Sequence, residues 1–235
     1  MNKRGVSHLE MIISFVLFVG FVASALYFFT PGRSNIVADS VLSYAVSEIK
    51  DNASTVLESY SIVIDSSIGY GFLDVSEIDF GDKKLFAETY NGEKVPANKE
   101  GDKVYLERIT VTFADRNFVV LKASRDMNPT VLTITPAAQN MNYRLASSKK
   151  EIIFSEMLLE KLAENYEVDY EGLKERFNLP SRSNFGFRLS FGDGSEIKAE
   201  KMVPGQIDIF ADASKVRVLR ESGEVVNADF VVRVW

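Results

Sequence analysis

FGFRLSF (185–191), EIKAEK (196–201), QIDIFA (206–211), KVRVLRE (215–221) and DFVVRVW (229–235) follow one another at the C-terminal end of the chain. Each is short, rich in β-branched and aromatic residues, and sets apolar against polar positions in the two-residue rhythm of a half-buried strand. Asp193-Gly194 and Ser222-Gly223 fall where hairpins turn, glycine supplying the backbone freedom a tight turn needs. Residues 181–235 therefore read as a C-terminal β unit, with Trp235 packed into its core from a terminal strand.

Outward from this unit the pattern recurs. SIVID (61–65), KLFAETY (84–90), KVYLERITVTFA (103–114), NFVVLKAS (117–124) and TVLTITP (130–136) predict a first β unit over 61–136, an antiparallel sheet or small sandwich, with Asn91-Gly92 as a hairpin turn. Tyr105, Ile109, Val111 and Phe113 define its buried face, and Glu107, Arg108, Thr110 and Thr112 mostly the other. Between the two units, residues 137–180 read as a connector with helices. Ser148 and Glu151 fit a capping box, Phe154, Met157, Leu158 and Leu162 form a stripe, and a second short helix starts at Asp169 and stops before Pro180. Glu156, Glu160, Glu164, Glu167 and Glu171 are a solvated helix face rather than metal ligands. Whether the β units form one domain or two stays open.

Towards the N-terminus, Val37, Val41, Ala45, Ile49, Ala53, Val56 and Tyr60 recur at three- or four-residue spacing, predicting an amphipathic helix over 31–60 that packs on the β domain. Asn52-Ala53-Ser54 is the acceptable glycosylation sequon, since Pro129 disqualifies Asn128. MIISFVLFVGFVASALYFF (11–29) is uncharged throughout and predicts a transmembrane helix over 6–30. Lys3 and Arg4 then keep the N-terminus inside, which makes this a single-pass protein of the cell membrane with lipid at its anchor and an extracellular body.

The net charge is −6, and residues 1–34 hold Lys3, Arg4 and Arg33 against Glu10 alone, so the remainder is markedly acidic. An acidic body with no basic stripe excludes nucleic acid as a partner. There is no cysteine, hence no disulfide framework and no thiolate metal site. The one histidine, His8, precedes the apolar run, so no Ser-His-Asp arrangement can be built in the body, and none of the phosphate-binding, nucleophile-elbow or zinc-protease motifs is present. The expectation is a protein that is not an enzyme and needs no cofactor or metal.

Lys3-Arg4-Gly5 running directly into the apolar helix resembles the leader of type IV pilin-like proteins, the class III signal peptide common among archaeal surface proteins. The resemblance covers about the first thirty residues. It implies that a prepilin peptidase cuts between Gly5 and Val6, making residues 1–5 a leader. Glu10 becomes the fifth residue of the mature chain, and the resemblance implies that it pairs with the terminal amine of Val6 of a neighbouring subunit. Read from the residues alone, Glu10 is a carboxylate at headgroup level, favoured by the positive end of the helix dipole. The fold expected is α+β: a long N-terminal transmembrane and amphipathic helix, then an antiparallel, sandwich-like β-rich head with a short helical insertion. The function implied is a structural subunit of a cell-surface filament, a pilus or pseudopilus, assembling with itself or other pilin-like subunits. The alternative is a bitopic surface protein whose ectodomain binds a ligand or partner.

Overall fold

A computed structural model describes residues 8–29, 32–64, 71–75, 77–101, 103–106, 118–129, 139–140, 142–205 and 207–235. Two helices come first, α1 (His8–Phe29) and α2 (Gly32–Ala53), and α2 runs straight into β1 (Ser54–Ile64). The strands β2 (Gly71–Asp74), β3 (Lys84–Thr89), β4 (Lys94–Val95), β5 (Ala97–Glu100), β6 (Lys103–Leu106), β7 (Phe118–Ser124), β8 (Gln139–Asn140) and β9 (Tyr143–Ser155) follow. Then come α3 (Glu156–Val168), α4 (Tyr170–Arg176), β10 (Phe185–Phe191), β11 (Glu196–Ala199), β12 (Phe210–Leu219) and β13 (Val225–Val234).

These strands form a nine-stranded sheet, β11-β10-β13-β12-β9-β1-β7-β3-β4, and a four-stranded sheet, β5-β6-β2-β8. The expected α+β head with two β units is thereby corrected: the chain is mostly β, and both units contribute to one large sheet. They meet where β12 lies parallel to β9, through Val218 opposite Phe154 and Leu219 opposite Ser155. The neighbouring pairs are antiparallel and much longer, β1 with β9 over Ser54–Ile64 and β12 with β13 over Phe210–Leu219.

Two boundaries differ from the sequence reading. The helical spacing was expected to run to Tyr60, but α2 stops at Ala53. From Ser54 on, β1 pairs with β9, and from Glu58 on also with β7, and this strand pairing overrides a local spacing that Val56 and Tyr60 satisfy equally well as strand residues. Ser148 does not cap a helix either, because it lies inside β9 opposite Tyr60. The cap of α3 is Ser155, whose hydroxyl accepts a hydrogen bond from the Leu158 amide at 3.3 Å. Asp169 does begin α4, its carboxylate accepting from the Gly172 amide at 3.0 Å. Gly92, Gly194 and Gly223 all take positive φ at the expected turns.

Three apolar clusters hold the body together. The largest joins α2 (Ala45, Ile49), α3 (Leu159, Tyr166) and α4 (Leu173) to one face of β10 and β13 (Phe185, Phe187, Phe230, Val232). A second fills the space between the β1-β7-β3 region (Ile62, Val119, Leu121) and the small sheet (Leu73, Val104, Leu106). Here the buried face of β6 is Val104 and Leu106, while Tyr105 is half-buried on the other face, the reverse of the expected pattern; Ile109, Val111 and Phe113 lie outside the described residues. Leu57, Phe86, Met127, Ile153 and Leu219 form a third cluster beside the β9–β12 joint.

Among the described residues no helix is long and apolar enough to cross a membrane. This overturns the transmembrane helix expected over 6–30. With it go the single-pass placement in the cell membrane, the inside N-terminus and the extracellular body.

Candidate assembly surface

Among the described residues, helix α1 carries the longest run of exposed large apolar side chains. Met11, Ile12, Ile13, Phe15, Val16, Leu17, Phe18, Val19, Phe21 and Leu26 are exposed by 46–73%. Because successive residues turn by about 100° around a helix axis, this nearly unbroken run clothes α1 in apolar side chains on every side. A helix that is apolar all round is stable when other protein or an equivalent medium covers it. By contrast, α2 shows a single apolar stripe, Val41, Leu42, Ala45, Val46 and Ile49, already buried in the main core.

Glu10 is the acidic residue in the first turn of α1, where the positive end of the helix dipole favours a carboxylate. Gly5 and Val6, the implied cut and assembly residues, lie outside the described residues. Asn52 is exposed in the last turn of α2 and its side-chain amide donates to the Glu48 carbonyl at 2.8 Å, while Ser54 of the same sequon is the first residue of β1. The helix face of α3 is less simple than expected: Glu156 accepts from Arg220 Nη1 and from the Glu221 amide, both at 2.8 Å, and ties the start of α3 to the turn after β12. Among the described residues no group of three or more His, Asp or Glu could hold a metal.

A second surface lies at the β9–β12 joint and carried no sequence signal. The two strands touch at their C-terminal ends and separate towards their N-terminal ends. Among the described residues, 143–153 pair only with β1, and 210–217 pair only with β13. The resulting cleft, about 670 Å³, is lined by the end of α2 (Lys50, Asp51), by Val56, Ile152 and Val216, and by Glu151 and Arg217. Arg217 bridges the narrow end to Glu151, which Lys149 also contacts at 2.6 Å. Burial pushes the Glu151 carboxyl up, yet the hydrogen bonds from Lys149 and Arg217 outweigh it and hold the group below the usual carboxylate range.

Comparison of the chain with family models, with curated proteins and with solved structures returns no match.

Proposed function

We propose that this protein is a structural subunit of the type IV pilin-like kind, which assembles into a filament or pseudopilus by bundling its α1 helix with those of other copies. The observation that supports this is the exposure of apolar side chains on every side of α1. Each such side chain removed from water contributes roughly 1.5–3 kcal/mol. The β-rich body already buries its own core, so the helix is the element whose stability demands a partner. On this reading the prepilin-type cut between Gly5 and Val6 frees an amine, and Glu10 of a neighbouring copy neutralises it inside the bundle.

The chain has no cysteine, so a single introduced one reports unambiguously on neighbouring copies. Leu17→Cys places a thiol on exposed α1, and Met202→Cys, in a residue 94% exposed on the body, is the control. Mild oxidation of the full chain should yield disulfide-linked pairs for Leu17→Cys and far fewer for Met202→Cys. Equal yields, or a monomer throughout, would reject assembly through α1.

A further inference from the structure

After Val95 the chain changes sheets, and the change leaves a corner. Strand β4 pairs with β3 at Ala87 opposite Val95 and Glu88 opposite Lys94, after which Pro96, with no amide hydrogen to continue the ladder, leads into β5 of the smaller sheet. Two adjoining cavities occupy this corner and share Leu85, Ala97 and Pro129 in their walls. The first, about 170 Å³, is mostly apolar, with Leu85, Phe86, Val95 and Pro129 in its lining and Lys94 and Ser222 as its polar members. Its size is close to that of an apolar cavity of ~150 Å³ that takes a benzene ring. The second, about 400 Å³, is polar and is lined by Asp82, Lys83, Lys84 and Lys99 together with Asn98 and Asn128.

The charges of the second cavity divide into two neutralised pairs and a remainder. Lys83 is paired with Glu58 at 2.6 Å, and Asp82 with Arg125 at 2.8 Å. Lys84 and Lys99 instead donate to neutral oxygens, Lys84 to the Asn128 side-chain carbonyl at 3.3 Å and Lys99 to the Gly81 carbonyl at 2.5 Å, and among the described residues no carboxylate ion-pairs with either. Asp79 belongs to the same turn but lies outside the cavity lining, its carboxylate accepting from the Gly81 amide at 2.9 Å. An ammonium group has three donors, and its bond to a carboxylate is about twice as strong as one to a neutral oxygen. We propose that this corner binds a small carboxylate that carries one ring-sized apolar group, with the carboxylate on Lys84 and Lys99 and the ring against Leu85, Val95 and Pro129. Burial of the ring supplies affinity, and the two ammonium groups fix which end of the ligand lies in which cavity. The site uses no residue of α1, so it stands independently of assembly through that helix.

The probe is 3-(4-fluorophenyl)propionate, titrated with the full chain and followed by the broadening of its fluorine resonance. Saturable binding is expected. The corresponding alcohol, 3-(4-fluorophenyl)propan-1-ol, keeps the ring and loses the charge, whereas trifluoroacetate keeps the charge and loses the ring; each should bind at least tenfold more weakly. The double variant Lys84→Gln, Lys99→Gln should lose at least tenfold in affinity for the propionate. Lys94→Gln should change it less than twofold, because Lys94 borders the apolar cavity but is already paired with Glu224 at 3.0 Å. Equal binding of the alcohol would mean partition onto apolar surface such as α1, and equal binding of trifluoroacetate would mean a charged patch alone; either result overturns the proposal. Absence of saturable broadening, undiminished binding by the double variant, or an equal loss in Lys94→Gln would overturn it as well. The comparison of the three ligands needs no variant, so it decides the matter even if the double variant folds poorly.

Discussion

At the scale of single residues, two glycines in equivalent turns show how far tertiary contact can outweigh backbone preference. Gly194 has φ +87°, and a Cβ there meets nothing within 4 Å. Gly223 has φ +92°, and a Cβ there would stand 2.5 Å from Cγ of Phe86, a member of the cluster beside the β9–β12 joint. Left-handed backbone costs a non-glycine residue roughly 1–2 kcal/mol, and forcing a methyl into a packed site typically adds about 1–3 kcal/mol. Gly194→Ala is therefore expected to cost about 1–2 kcal/mol and Gly223→Ala about 2–5 kcal/mol, read as the shift in the urea midpoint at unchanged m. Equal shifts would show that Phe86 swings aside freely. From sequence the two turns, Asp193-Gly194 and Ser222-Gly223, look alike; the difference lies in a β3 side chain well over a hundred residues upstream.

At the scale of elements, β1 is fastened to its neighbours by a carboxylate as well as by its ladder. Glu58 accepts from Lys83 at 2.6 Å and from the Tyr60 hydroxyl at 3.1 Å, and Lys150 of β9 stands at 3.4 Å. The hydrogen bond from Lys83 is the main cause that holds the Glu58 carboxyl below its ordinary value of 4.5, against the opposing effect of burial. A carboxylate whose folded pKa is depressed stabilises the fold fully above its unfolded pKa, and that contribution fades as pH falls through the lower, folded value. Glu58→Gln should be less stable than the parent at pH 7, and the gap should close on titration below about pH 4.5. A gap independent of pH would mean that packing, not charge, is lost. This network was invisible in the sequence, because its members come from β1, from the turn before β3 and from β9. In the C-terminal unit β10 and β13 were legible from Phe185 onward, whereas QIDIFA and KVRVLRE, read as two strands, contribute to the single strand β12, Phe210–Leu219, with residues 207–209 outside it. Strand β9 was not legible, since residues 144–150 are exposed on both faces and leave no apolar rhythm, only backbone pairing. Missing β9 also hid the cleft at the β9–β12 joint and moved the expected helix cap from Ser155 to Ser148. The apolar character of α1 was plain from its residues, but it does not by itself say what surrounds the helix.

At the scale of the whole molecule, the joint between β9 and β12 decides whether the body unfolds as one unit. Strand pairing across it is limited to Val218 with Phe154 and Leu219 with Ser155. What reinforces it is the small cluster of Leu57, Phe86, Met127, Ile153 and Leu219, which draws residues from both sides of the joint. Leu219 is fully buried there, and truncating such a leucine to alanine costs about 2–5 kcal/mol in lost transfer energy and cavity formation. The single tryptophan, Trp235, lies at the end of β13 and exchanges both backbone hydrogen bonds with Asn184, so its fluorescence reports the C-terminal side of the joint alone. Far-UV circular dichroism reports strands on both sides. In the parent protein the two signals should change together with urea, as one cooperative transition requires. In Leu219→Ala the joint is weakened while the two larger cores are untouched, so the tryptophan and dichroism curves are expected to separate. Coincident curves at a lower midpoint would mean that α2 and α3, through the main core, couple the two sides strongly enough without the joint.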